Sequence, residues 1–191
     1  MAESLDSDKT SLRQQIRARL RAMSPEQHRA DSQRLGERLF TLPMWKQARI
    51  VLLFAPLRDE PDIGPVISAA LKEGKEVLLP KLEPGGFSYH ACPIKSVDGL
   101  SPGKFGILEP PDTSTAMALN RLDLVLVPGV AFDPRGGRLG RGKGFYDRLL
   151  SAVNGTKCGV AFDEQIVDAV PVGPMDVRLN CILTPTRWIE T

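Results

Sequence analysis

Leu122-Asp123-Leu124-Val125-Leu126-Val127-Pro128-Gly129-Val130-Ala131-Phe132 is an apolar run. It leads into Pro134-Arg135-Gly136-Gly137-Arg138-Leu139-Gly140-Arg141-Gly142-Lys143 and then into Gly144-Phe145-Tyr146-Asp147-Arg148-Leu149-Leu150. The order is a buried strand, a glycine-rich loop and the start of a helix. The ten loop residues carry four cations, four glycines and no acid. Such a loop suits phosphate. Glycines allow close backbone approach, amides at a helix start point at the anion, and side-chain cations neutralise it.

The flanking chain repeats the strand-helix alternation. Ile50-Val51-Leu52-Leu53-Phe54-Ala55 is continuously apolar, as in a strand covered on both faces. Residues 63–73 read as a helix stopped by Gly74. Glu76-Val77-Leu78-Leu79-Pro80 is the next strand, and 87–91 alternates like an exposed or edge strand. Residues 93–118, rich in Pro, Gly, Ser and Thr, read mostly as loop. A strand over 122–127, a helix over 144–153, a strand over 158–162 and a final strand over 180–183 follow. The alternation predicts a three-layer α/β/α sandwich with a mostly parallel central sheet. No repeat or linker divides the chain, so residues 1–191 are expected to form a single domain, with N-terminal helices over 8–42 packed on the α/β core.

In the first of those helices, over 9–23, Leu12, Ile16, Leu20 and Met23 make one apolar stripe. Lys9, Arg13, Arg17 and Arg21 make a basic stripe about 100° around the helix. Ser24-Pro25-Glu26-Gln27 starts the second, with serine as cap, proline at the first position and glutamine at the capping-box position. Leu35 and Leu39 face its core side and Pro43 ends it.

At 191 residues the chain can bury a real core. Its 42% apolar and 25% charged content is ordinary for a soluble globular protein. A net charge of +2 and 6% aromatics argue against a general nucleic-acid or membrane binder. Cys92, Cys158 and Cys181 have no zinc spacing and cannot all pair, which points to a reducing compartment. No apolar run approaches the roughly 20 residues of a membrane span, and the N-terminus has no apolar signal core. A cytoplasmic protein is expected.

Gly137-Arg138-Leu139-Gly140-Arg141-Gly142-Lys143 matches the first seven positions of the Walker phosphate loop, but Gly144 stands where Ser or Thr would hold Mg²⁺. A standard P-loop NTPase is therefore disfavoured, although the phosphate chemistry survives. The bland alternative is a solvated basic loop, and Arg135-Gly136-Gly137 alone is a weak nucleic-acid signal. Asp147 is either a favourable acid at a helix start or a Mg²⁺ ligand beside phosphates. Glu60 is either a surface carboxylate or, just past a strand, part of a ligand crevice. The basic stripe is either a solvated face or half of an anion site. His28 and His90 have no metal-ligand neighbours, so a zinc site or a histidine-dependent triad is poorly supported.

Residues 127–133 running into 138–147 closely resemble the signature of the 5-formyltetrahydrofolate cyclo-ligase family, also called 5,10-methenyltetrahydrofolate synthetases. Lys9-Thr10-Ser11-Leu12-Arg13 looks like the family's Lys-x-x-Leu-Arg element. Phe54 and Glu60 match its first substrate-contacting strand and loop, and Phe105-Gly106-Ile107-Leu108-Glu109-Pro110 its central segment. Residues 159–165 and 176–184 match its C-terminal elements. The chain departs from the family at Phe145, where tyrosine is common, and at Met175, where many relatives have histidine.

The resemblance implies an ATP- and Mg²⁺-dependent conversion of 5-formyltetrahydrofolate to 5,10-methenyltetrahydrofolate, with release of ADP and phosphate. By resemblance, Lys9, Arg13 and the run Arg138, Leu139, Gly140, Arg141, Gly142, Lys143, Gly144, Phe145, Tyr146 and Asp147 would bind ATP. Arg141 and Lys143 would be catalytic, stabilising charge at the transferring group. Asp147 and Asp176 would hold Mg²⁺. Glu60 would bind the pterin, with Phe54, Phe105 and Tyr146 around the folate. The implied partners are ATP and a reduced folate, with no nucleic acid and no membrane, and the protein is expected to be a monomer. A different phosphoryl-transfer enzyme on the same scaffold, or a nucleic-acid-binding protein using the Arg-Gly loop, are the rival readings.

Overall fold

The computed structural model describes residues 2–86, 88–103 and 106–191, the first three of these through the backbone alone. Phe87 and Phe105 lie outside the described residues. Five α-helices are described: α1 (Ala2–Ala22), α2 (Pro25–Thr41), α3 (Pro43–Gln47), α4 (Gly64–Lys72) and α5 (Phe145–Leu150). The strands are β1 (Ile50–Leu52), β2 (Glu76–Leu82), β3 (Tyr89–Ile94), β4 (Ser101–Pro102), β5 (Leu108–Glu109), β6 (Leu124–Val127), β7 (Ala131–Phe132), β8 (Arg138–Leu139), β9 (Thr156–Val160), β10 (Cys181–Leu183) and β11 (Trp188–Glu190).

Seven strands form one sheet in the order β11-β10-β9-β6-β1-β2-β3. The five inner strands are parallel, and an antiparallel strand closes each edge. The inner strands are buried on both faces, which is why β1 and β6 read as unbroken apolar runs rather than alternating ones. Val51, Leu53, Leu124, Leu126 and Cys158 point to one face, where Leu35, Leu39, Trp45, Val66 and Ala70 of α2, α3 and α4 cover them. Leu52, Val125, Val127 and Ile182 point to the other face, against Leu149 and Leu150 of α5 and Val153. This is a three-layer α/β/α sandwich in a single α/β domain with a mostly parallel sheet.

The chain leaves β1 to build β2 on one side and then returns to build β6 on the other. The direction of winding therefore reverses between β1 and β6. In open α/β sheets the crevice beyond the strand carboxyl ends at such a switch receives ligands. Here those ends carry Phe54 to Glu60 after β1, and Pro128 and Gly129 after β6.

Several local expectations need correction. The basic segment is not all loop, because β7 and β8 pair as a buried antiparallel hairpin. Asp133 makes the turn: Oδ1 accepts from Arg135 N at 2.8 Å and Gly137 N at 3.1 Å, and Oδ2 accepts from Val170 N at 2.8 Å. Pro43 does not merely end α2 but opens α3 as its first residue. Ser24 does cap α2, accepting from Gln27 N at 3.1 Å, but the Gln27 side chain reaches Glu164 at 3.0 Å instead of closing a capping box. The strand at Cys181 is not the last, since β11 folds back on it. Residues 93–118 contain the short β4–β5 hairpin.

α1 starts earlier than its apolar stripe implies. Ile16 is fully buried against Val130, Ala131, Leu139 and Val170, with Leu12 and Leu20 beside it. An Ile buried to this extent contributes roughly 1.5–3 kcal/mol. The hydrophobic stripe thus seats α1 on the β7–β8 hairpin, and this seating brings its basic stripe to the glycine-rich segment.

Candidate active site

A cavity of about 540 Å³ opens at the strand carboxyl ends, at the switch between β1 and β6. Its lining is of two kinds, which we call its halves: an apolar and aromatic set, Phe54, Leu57, Pro80, Tyr89, Ile107 and Tyr146, and a cationic set, Lys9, Arg13, Arg138, Arg141, Lys143 and the 139–144 backbone.

The cationic half is built by the loop between β8 and α5. Gly142 has φ +101° and Gly144 φ +66°, values that L side chains rarely adopt. Gly144 is also the cap residue of α5, so its left-handed backbone turns the chain from the loop into the helix. Arg13 of α1 reaches this loop and donates from Nε to Gly140 O at 3.0 Å. Lys9 pairs with Asp176, whose Oδ2 also accepts from Gly173 N at 2.6 Å. Burial raises the Asp176 pKa, but the Gly173 amide and Lys9 outweigh it and hold the carboxyl below its ordinary value. Lys143 is exposed at the cavity wall and makes no ion pair among the described residues.

Arg138 and Asp147 form a pair at 2.9 Å in which the arginine side chain is only 3% exposed. Asp147 Oδ1 takes a second bond, from Val177 N at 3.3 Å. The backbone beside Asp176 is thereby held against Asp147. The Arg138 guanidinium also lies 5.6 Å from the Tyr146 ring centroid and donates to Pro128 O at 3.4 Å. Its buried Nε has no hydrogen-bond partner among the described residues.

The two halves meet at Arg141 and Glu60. Arg141 donates to Glu60 Oε1 from Nε at 3.2 Å and from NH2 at 2.8 Å, while Glu60 Oε2 accepts from Leu57 N at 2.9 Å. Asp59 takes the other edge of the guanidinium, with NH2 at 2.6 Å from Oδ1 and NH1 at 3.2 Å from Oδ2. Glu60 is 4% exposed, and burial raises its carboxyl pKa despite the opposing charge of Arg141. Asp59 is also raised by burial, but it is far less buried, and its bonds to Arg141 win, so its pKa is lowered. The same two bonds and charges raise the Arg141 guanidinium against its own burial.

In the apolar half, Tyr89 packs against Phe145 and Tyr146 with ring centroids 5.0 and 6.0 Å apart. Burial pushes the Tyr146 hydroxyl well above the ordinary phenol range and raises Tyr89 less. The phenols stay neutral donors. Phe145, which has no hydroxyl, lines this wall beside Tyr89. Met175 is 82% exposed and lies outside the cavity lining.

Of the residues singled out by sequence, Lys9, Arg13, Phe54, Glu60, Arg138–Asp147 as a run, and Asp176 all line this one cavity. Phe105 is outside the described residues. Arg17, which the family's Lys-x-x-Leu-Arg element does not cover, is not simply solvated. It is half-buried, and its charge helps to lower the Asp59 pKa. Sequence reasoning missed Asp59, Tyr89, Asp133 and Gln165. Gln165, fully buried, accepts from Phe162 N at 2.8 Å and donates to Gly129 O at 2.8 Å, fixing the backbone beyond β6. An Asp four residues before a glycine at the head of a loop is a turn signal that could have revealed Asp133. Nothing local marks the others.

No three-carboxylate, histidine or cysteine cage for a metal occurs among the described residues. Nor is any of their helices long and apolar enough to cross a membrane.

The family model for the 5-formyltetrahydrofolate cyclo-ligase family matches residues 6–185. The 5-formyltetrahydrofolate cyclo-ligase of Escherichia coli K12 is 36% identical over 185 residues, covering 92% of this chain and 99% of that one. The mouse enzyme of the same name is 27% identical, covering 95% and 96%. The solved structure of Aquifex aeolicus 5,10-methenyltetrahydrofolate synthetase superimposes with a TM-score of 0.86 at 36% identity, over 95% of this chain and 92% of that one. With matches that span nearly its whole length, this chain belongs to the 5-formyltetrahydrofolate cyclo-ligase family, a family of ligases.

Proposed function

We propose that the chain converts 5-formyltetrahydrofolate to 5,10-methenyltetrahydrofolate with consumption of ATP. One observation carries this reading. A cationic, glycine-rich wall and an aromatic wall share one cavity and touch at Arg141 and Glu60. A phosphoryl group and a flat, apolar acceptor therefore have adjoining places.

The chemistry asks for that arrangement. A formamide oxygen is a poor leaving group. Transfer of the γ-phosphoryl to it breaks the bond to ADP, forms a new P–O bond and leaves an iminium carbon. The folate nitrogen at position 10 then attacks that carbon, loses its proton and expels phosphate. Catalysis of such a transfer rests mainly on positioning and charge stabilisation. Arg141 and Lys143 would offset charge at the transferring group. Arg13, Lys9, the Arg138 Nε donor and the 139–144 amides would hold the rest of the triphosphate. Phe54, Tyr89 and Tyr146 would sandwich the pterin, and the buried Glu60 would accept from its paired N–H donors. Tyr146 as a neutral phenol adds a donor without adding a charge.

Asp147 and Asp176 fit a Mg²⁺ ion. Each carboxylate spends one oxygen on protein partners, Oδ1 of Asp147 on Arg138 and Val177 and Oδ2 of Asp176 on Lys9 and Gly173, which leaves the second oxygen of each. Mg²⁺ characteristically takes one or two carboxylates and completes its shell with water and substrate phosphates, so the absence of a three-carboxylate cage suits it. When bound, the ion would neutralise charge on the β- and γ-phosphates. The test is the appearance of the methenylfolate absorbance band when purified protein meets 5-formyltetrahydrofolate and Mg-ATP, against a control lacking ATP. A band that grows equally without ATP, or none with it, would overturn the reading.

A further inference from the structure

The Arg141 guanidinium is held by two carboxylates through different edges. Glu60 takes the Nε–NH2 edge and Asp59 takes the NH1–NH2 edge. The two acids are not equivalent. Glu60 is almost wholly buried in the cavity wall, while Asp59 is 39% exposed through its side chain at the rim. The Glu60 carboxylate has both oxygens engaged, one by Arg141 and one by the Leu57 amide. A ligand with paired N–H donors that docks on Glu60 must share or displace the Arg141 bonds. The Nε–NH2 edge is then released toward that ligand. Without a second anchor, a desolvated guanidinium losing its partner would swing out to water, since unpaired burial of a charge is costly. Asp59 supplies the anchor through a bidentate contact, the geometry that best fixes a guanidinium plane.

We propose that Asp59 is a positioning residue: it keeps Arg141 at the boundary between the two halves of the cavity when Glu60 exchanges its partner for substrate. The idea rests on the folate reading only for the identity of that substrate. Arg17 supports it. Four residues beyond Arg13 on the same face of α1, Arg17 places its charge close enough to favour ionised Asp59. The basic stripe thus serves three separate rim segments in order: Lys9 at Asp176, Arg13 at the Gly140 carbonyl and Arg17 at Asp59.

The experiment uses Asp59→Asn and Asp59→Glu in the full chain, with two readouts. One is steady-state kinetics. The other is the rate at which phenylglyoxal modifies Arg141, followed by peptide mass without any substrate. Asp59→Asn should speed modification of Arg141 several-fold while Arg138 stays protected. It should lower kcat about tenfold or more, the scale of a lost charge-assisted contact, with the KM for the folate changed less than about twofold. Asp59→Glu should restore most of kcat. An unchanged modification rate, or a kcat for Asp59→Asn within about twofold of wild type, overturns the proposal. A wild-type protein that makes no methenylfolate, but whose Arg141 is still unmasked by Asp59→Asn, overturns the folate reading and upholds the hold of Asp59 on Arg141.

Discussion

Arg138 and Arg141 lie three residues apart in one basic segment, yet they sit in opposite surroundings. Arg138 belongs to a buried strand pair, its side chain 3% exposed and tied to Asp147 only nine residues away. Arg141 stands where the backbone has left β8, its side chain 33% exposed and tied to acids 81 and 82 residues back in the chain. The first arginine is part of the wall that must exist before any ligand binds. The second bridges Glu60 and Asp59 at the cavity wall. Under the proposed function, charge in the same loop serves architecture at one position and chemistry at the other. Backbone geometry decides between them: a strand residue is fixed by its ladder, whereas the glycines at 140, 142 and 144 leave Arg141 and Lys143 on a separately shaped loop.

The sharpest way to break this contrast is to remove the two loop cations. Arg141→Ala and Lys143→Ala should each lower kcat roughly 10²–10³-fold, about 3–4 kcal/mol of stabilisation at developing charge, and Lys143→Ala, which breaks no ion pair among the described residues, should leave the melting temperature nearly unchanged. Turnover within about threefold of wild type would show a role in binding or solubility only. Arg138→Met should do the reverse in kind. It strands the Asp147 carboxylate and should cost about 3 kcal/mol of stability, a drop of about 6–12 °C in melting temperature, whatever it does to activity. A variant that melts like wild type would place Arg138 with Arg141 rather than against it.

A smaller effect separates neighbours on α1. Arg13→Ala should raise the KM for ATP about tenfold, the scale of a lost charge-assisted hydrogen bond of ~1.5–3 kcal/mol. Arg17→Ala should leave that KM within about twofold, because its charge acts at Asp59 rather than at the glycine-rich loop. Equal effects would mean that the stripe acts only as a diffuse field.

The smallest expected effect lies away from the cavity. Asp163 accepts from Thr184 Oγ1, Thr186 Oγ1 and Arg187 Nε at 2.7–2.9 Å. Burial raises its pKa, but these bonds outweigh it and leave it below the ordinary carboxyl value. A carboxyl depressed in the folded state adds stability above its unfolded pKa and loses it as pH falls through the folded one. Asp163→Asn should therefore melt about 2–4 °C below wild type near neutral pH, for a cost of about 1 kcal/mol, with the gap closing as pH falls through the lowered folded pKa. A gap that persists in acid would assign the loss to packing instead of charge.

The same contrast explains what the sequence reveals. The inner strands are legible because burial on both faces leaves an unbroken apolar run, as at Ile50-Val51-Leu52 and Leu124-Val125-Leu126-Val127. The glycine-rich loop is legible because its chemistry is local: cations, glycines and a helix start within one segment. The β7–β8 hairpin inside that segment is not, because Arg138 reads as a solvated cation until Asp147 and Tyr146 are seen around it. Of the two acids of the seam, Glu60 is reached only through the family resemblance and Asp59 not at all. Asp59 and Glu60 sit in a run that reads as surface, and only the sheet topology carries them to Arg141. Tyr89 reads as an edge-strand residue, and its place against Phe145 and Tyr146 comes from the pairing of β3 with β2. The three-residue β11, just after Pro185, is too short to show a period.

The central claim is that the two halves of the cavity bring a phosphoryl donor to the formyl oxygen of a folate. The most direct measurement follows that oxygen. 5-Formyltetrahydrofolate carrying ¹⁸O in its formyl group is turned over with unlabelled ATP in ordinary water, and the released inorganic phosphate is analysed for the isotope. Transfer to the formyl oxygen predicts one ¹⁸O in each phosphate released. Unlabelled phosphate, with the isotope lost to water, would contradict the account.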